Sequence, residues 1–203
     1  METKMLLCRG VVGVCLLVCG CSKPEQPKPV GFLSDYSHLR PETKTRSRYL
    51  PPGNRLVQYS QFIVDPVVLY FGKGTEAPGD RDAQAEELAQ YLHGTLVKAL
   101  EGHYRVTAAP GPGTARLRVA LTQIKTSEPF SPGNMAIEAE LLDAQTSEQL
   151  FAIREIQRAT VKPRSAHWGD AKQIMDDWAR RFVTALEEQS TLKPNEVLPR
   201  PRE

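Results

Sequence analysis

Two spacings organise the apolar residues of this chain. Between Asp82 and Glu101, Ala85, Leu88, Leu92, Leu96 and Ala99 fall three or four residues apart, which places them on one stripe of a helix. Glu86 and Glu87 near its start and Lys98 near its end suit the helix dipole, and Gly102 suits its termination. Gly94, inside this helix, costs about 1 kcal/mol relative to alanine unless something packs close to it. A second stripe of Ala171, Ile174, Met175, Trp178, Phe182 and Leu186 predicts a helix from about Asp170 to Gln189, with Trp178 and Phe182 as core residues.

Between the helices the period changes to two. In Ala115–Ile124, Leu117, Val119 and Leu121 alternate with Arg116, Arg118 and Thr122; in Met135–Asp143, Ile137, Ala139 and Leu141 oppose Glu138 and Glu140. Such alternation describes a sheet with one buried and one wet face. Residues 144–148 make a turn, and Gln149–Ile156 returns as an antiparallel partner. Upstream, Gln61–Phe71 is rich in β-branched and aromatic residues, and Pro66, lacking an amide hydrogen, predicts an edge, bulge or break there. His103–Thr107 supplies a short strand before a Pro-Gly-Pro-Gly turn at 110–113. The order of elements predicts a single α+β domain over residues 61–189. It would have a mixed or antiparallel sheet of four to five strands with two amphipathic helices on one face.

The amino terminus has a different logic. Lys4 and Arg9 precede an apolar run from Gly10 to Gly20, too short for a spanning helix, and Gly20 stands before Cys21. Residues 1–20 thus read as a signal peptide, and Val18-Cys-Gly-Cys21 resembles the bacterial lipobox, in which Cys21 is lipidated and cleavage falls between Gly20 and Cys21. Several acyl chains on one cysteine would anchor stably, at about 0.8 kcal/mol per buried methylene. Residues 22–30 hold three prolines and form an extended tether of roughly 28 Å. Residues 31–60 show neither period and read as an extended arm lying over the domain, docked by Phe32, Leu33, Tyr36, Leu39 and Tyr49. Residues 190–203 read as a loose tail.

Composition narrows the function. The net charge of +2 offers no field for nucleic acid. All four cysteines precede residue 22, so the domain can hold no internal disulfide or thiolate metal site. His38, His93, His103 and His167 lack the i, i+4 spacing of a zinc site and read as surface histidines. Gly72-Lys-Gly-Thr75 falls short of a phosphate loop, since Val67 occupies the position of its first glycine. No Gly-x-Ser-x-Gly elbow exists, and Ser131 has no patterned base. Glu138 and Glu140 share a strand face, as a paired acid and base would, but a solvated face paired with Arg116 and Arg118 explains them more simply. No catalytic set, metal site or cofactor is expected.

Several of these segments resemble a family. Gly31-Phe-Leu-Ser-Asp-Tyr-Ser37 with Leu39 directly follows a lipidated leader. The Ile63-Val-Asp-Pro-Val67 strand, Leu100-Glu-Gly-His-Tyr-Arg-Val106 and Leu117-Arg-Val-Ala-Leu121 follow in turn, and the hairpin Leu142–Leu150 has Ser147 where glycine would be expected. Together they are similar to the bacterial lipoproteins known as domain of unknown function 3313 (DUF3313). The resemblance implies a shared fold and an envelope location, and it supplies no activity. Two functions of different class are therefore expected. The first is a lipid-anchored, periplasm-facing outer-membrane lipoprotein, non-catalytic, that binds an envelope protein or polymer through the exposed aromatics Phe32, Tyr36, Tyr49 and Tyr59 of its arm. The alternative is an envelope hydrolase or lipid-binding protein using Asp35, Asp65, Glu138 and Glu140.

Overall fold

A computed structural model describes residues 28–53, 55–71, 82–125, 134–158 and 169–191. The expected leader, Cys21, most of the tether, Ser131, His167 and the tail beyond Thr191 lie outside these residues. The described chain forms strands β1 (Arg40–Pro41), β2 (Arg46–Tyr49), β3 (Gln61–Val64) and β4 (Val68–Leu69), then helix α1 (Asp82–Glu101). Strands β5 (Arg105–Val106), β6 (Thr114–Lys125), β7 (Asn134–Asp143) and β8 (Gln149–Arg158) follow, and helix α2 (Gly169–Thr191) closes the order. All strands join one sheet in the order β1-β2-β8-β7-β6-β3-β5, with β4 also paired to β6.

The α+β class and the two helices agree with the apolar spacing, whereas the strands among the described residues number eight rather than four to five. Part of the excess comes from β3 and β4. They pair in parallel with successive stretches of β6, Phe62 opposite Ala115 and Val68 opposite Ala120, and Pro66 interrupts them between. The rest comes from the arm, where β2 adds antiparallel to β8 and β1 caps the edge. Strands β6, β7 and β8 form the antiparallel centre of the sheet. The turn between β7 and β8 puts Ser147 at φ 61°, the left-handed region, which accounts for the glycine expected at that position. Gly113, at φ 67° before β6, receives the amides of Ser60 and Gln61 on its carbonyl, and a β-carbon there would lie 3.0 Å from the Gln58 carbonyl oxygen.

One face of the sheet is covered by helices. Leu117, Val119, Leu121, Ile137, Ala139 and Leu141 are buried and belong to one apolar cluster with Leu88, Leu92, Leu96 and Leu100 of α1. Met175, Trp178, Ala179 and Val183 of α2 complete it. Each fully buried large side chain contributes about 1.5–3 kcal/mol. The stripe on α1 ends on Leu100 rather than Ala99, which is only partly buried, and Phe182 is also half-buried, tilted against Phe151. Gly94 faces outward with no atom within 4 Å of a β-carbon built on it, so nothing in the packing requires a glycine there.

Candidate functional site

The two central carboxylates on the strand face opposite to the helices do not meet water. With Ile137, Ala139 and Leu141 turned toward the helices, the pleat turns Glu138 and Glu140 to the other side, yet they are only 2% and 0% exposed. The expectation of a solvated face is corrected here: the arm lies across it. Register explains the electrostatic part. Arg118 of β6 is directly opposite Glu140, and Arg154 of β8 directly opposite Glu138, so each carboxylate has a cation as its cross-strand neighbour.

The arm supplies the rest of the partners from its backbone. The amides of Val30 and Phe32 donate to the two oxygens of Glu138, at 3.2 and 3.4 Å. The amide and hydroxyl of Ser34 both donate to Glu140 Oε2, at 2.9 and 2.7 Å. In an extended segment alternate amides point the same way, so residues 30, 32 and 34 can serve one row of acceptors. Tyr36 ties the arm into a loop around this row. Its hydroxyl donates to Glu138 and accepts from the amides of Gly31 (2.9 Å) and Leu33 (3.0 Å). Burial, then the bond to Glu138, pushes the Tyr36 phenol up to about 12, so it stays a donor at neutral pH.

Glu140 is closed by Gln149 Nε2 at 2.8 Å and by Arg118 Nη1. Arg154 Nε is 3.1 Å from Glu138 Oε1, but at an angle too poor for a hydrogen bond, so that contact is an ion pair only. Desolvation pulls the Arg154 guanidinium below the ordinary arginine range, opposed by Glu138. Both cations also carry arm rings: Phe32 lies 4.9 Å from the Arg118 guanidinium and Tyr36 5.8 Å from that of Arg154. A carboxylate offers about four lone-pair sites. Four groups approach Glu138 and four donors approach Glu140, so neither has an obvious site left for a substrate proton.

The other predicted residues do not join this cluster. Asp35 accepts from the amide and hydroxyl of Ser37, which hold its carboxyl below the ordinary value, and Asp65 accepts from Arg116 at 2.7 Å. The four carboxylates named as candidates for catalysis therefore do not converge. The arm aromatics are not freely exposed either. Phe32 leans on Tyr70, Tyr49 stacks on His38 at 5.0 Å, and Tyr59 is 5% exposed with its hydroxyl donating to Asp143 at 2.8 Å. What faces outward on the arm is Gly31, Ser34, Ser37, His38 and Arg40, followed by residues 41–45. His103 pairs with Glu187 at 2.6 Å, and His93 Nε2 lies 3.4 Å from the Val64 carbonyl. Among the described residues no three His, Cys, Asp or Glu side chains gather as metal ligands.

An α+β domain with a polar clamp on its arm is thus the class that fold and site define. The family profile described as "Protein of unknown function (DUF3313)" matches residues 28–133 and 128–182. The chain belongs to this family, and the matched span includes the arm, the clamp, α1 and the first part of α2. Solved structures are similar to the chain at low identity. A PelC dodecamer from Paraburkholderia phytofirmans has a TM-score of 0.44 and 12% identity over 70% of this chain and 96% of that one. XCC0632 from Xanthomonas campestris has a TM-score of 0.43 and 10% identity over 70% and 94%. Lipoprotein GNA1162 from Neisseria meningitidis has a TM-score of 0.36 and 11% identity over 63% and 99%. No match was found among curated proteins.

Proposed function

We propose that this protein is a lipid-anchored lipoprotein of the bacterial envelope, facing the periplasm from the outer membrane, and that it binds an envelope protein or polymer without catalysing a reaction. The leader ending at Gly20 before Cys21 supports the anchoring, and Ser22, in place of Asp after the cysteine, supports the outer-membrane destination. The observation that carries the non-catalytic role is the occupancy of Glu138 and Glu140: the chain's own arm takes the acceptor sites a general base would need. Under this reading the tether joins the domain at Val30, nine residues after Cys21, on the arm side of the sheet. The outward surface of that side, with His38, Arg40 and Lys44 beside Asp35 and Glu42, is the docking surface under this reading, in place of the tyrosine rings.

Two experiments separate the parts of the proposal. Mass spectrometry of the membrane-extracted protein should give an amino terminus at Cys21 carrying acyl chains; an intact terminus upstream of it would end the anchoring half. A photocrosslinking residue at Ser37 should give a discrete adduct in whole cells, absent when the same residue is placed at Gly94 on the helix side. Equal labelling from both positions would remove the assigned surface.

A further inference from the structure

We infer a second site, on the opposite side of the sheet: a binding pocket for an aliphatic chain that ends in a carboxylate. A cavity of about 90 Å³ lies between the sheet and the two helices. Its inner wall is apolar, formed by Leu96, Val119, Ile137, Ala139, Phe151 and Trp178. The space is about three water volumes, enough for a short alkyl segment. Its charged lining residues are Arg46 and Arg48 of β2, Arg181 of α2 and Glu155 of β8.

Two features of this lining point to an occupant with an acidic oxygen. The first is an unanswered donor. Trp178 is 5% exposed, and its indole N–H is buried with no acceptor among the described residues. Buried donors are almost always paired, so one left without an acceptor beside a cavity calls for an oxygen from outside. The second is charge. Arg181 holds Glu155 through Nη1 at 3.2 Å and Nη2 at 2.8 Å, and takes Asp177 through Nε at 2.9 Å. Arg46 Nε and Arg48 Nη2 share the single carboxylate of Glu42, at 2.7 and 2.5 Å, and Arg46 Nη1 is only distantly placed against Glu155 at 3.9 Å. Arg46 Nε, despite that ion pair, is buried without an aligned hydrogen bond. The cavity's own lining thus sets three guanidinium groups, those of Arg46, Arg48 and Arg181, against the one carboxylate of Glu155, an excess of positive charge in the lining of an apolar recess. A cationic or neutral head would forgo that attraction; a carboxylate can give one oxygen to the indole N–H and the other to an arginine. The sequence hinted at neither part, because Trp178 reads as core and the arginines of β2 read as a polar arm.

The site stands apart from the arm clamp and does not depend on anchoring. It can be tested on the full chain in neutral nanodiscs labelled with 5-fluorotryptophan. The chain has two tryptophans, and a Trp168→Phe variant assigns the signal of Trp178. Titration with butanoate, hexanoate and octanoate should move that resonance saturably, with affinity rising along the series until the cavity is full. Hexanol and hexyltrimethylammonium should bind at least tenfold more weakly. Arg48→Gln, at the mouth, should weaken hexanoate about tenfold, and Ala139→Leu, which fills the recess, should abolish the shift. Were Ala139→Leu not to fold, the head-group comparison and Arg48→Gln still decide. A Trp178 resonance unmoved by millimolar carboxylate overturns the inference, and so does an equal response to hexanol.

Discussion

On its helix side the sheet presents Leu117, Val119, Ile137 and Leu141 to Leu92, Leu96 and Trp178. On its other side, one residue further along each strand, it presents Arg118, Glu138, Glu140 and Arg154 to the backbone of the arm. Both faces exclude water from the same strands, by different means. The helix face relies on apolar contact, which is non-directional and grows with area, so neighbouring side chains share any loss. The arm face relies on directed bonds to two carboxylates, and removal of either one strands several donors at once. The comparison teaches that burial alone does not say how a face tolerates change.

Substitutions can break this contrast. Glu138→Ala carries the largest expected effect, because it leaves the Arg154 guanidinium buried without its anion and frees the amides of Val30 and Phe32. Loss of one partner of a buried pair costs about 3–5 kcal/mol, which urea denaturation would read directly. A loss below about 1 kcal/mol would mean that the arm is only loosely applied. On the helix face, Ile137→Val removes one methyl beside Glu138 in sequence and should cost about 1 kcal/mol. A loss as large as that of Glu138→Ala would erase the distinction between the faces.

Smaller effects sharpen it further from the sheet. Gly94 is exposed in α1 with open space around it, so Gly94→Ala should stabilise by about 0.5–1 kcal/mol; a destabilised variant would show that this helix face is occupied. The last is a pH effect at the polar end of the arm. The amide of Thr146 and the hydroxyl of Tyr59, with the Gln145 amide, hold the Asp143 carboxyl down to about 2, from an ordinary 3.8. A lowered folded value means stability that is fully present above the ordinary value and lost as pH falls toward about 2. The difference in Tm between the wild type and Asp143→Asn should therefore shrink over that window, and a constant difference would contradict the assignment.

How far these faces were legible follows from the same contrast. The helix face was readable because apolar side chains mark it at fixed periods, as in Leu88, Leu92, Leu96 and Trp178. The alternation in β6 and β7 gave the direction of each side chain correctly. It could not say what covers the polar side, since Glu138 next to water and Glu138 under an arm have the same neighbours in sequence. Strand β2 was missed for a related reason. Arg46, Ser47, Arg48 and Tyr49 have no apolar alternation, and their strand state comes from pairing with β8. Tyr36 and Tyr59 look like exposed recognition residues until Glu138 and Asp143, distant in sequence, appear as their acceptors.

Hydrogen exchange at the arm tests the clamp most directly. The amides of Val30, Phe32 and Ser34 should exchange far more slowly than that of the outward residue His38, and Glu138→Gln should release Val30 and Phe32 before Ser34, which is held by Glu140. Exchange at unprotected-chain rates for all three amides in the wild type would contradict the clamp, and with it the reading of this face as closed.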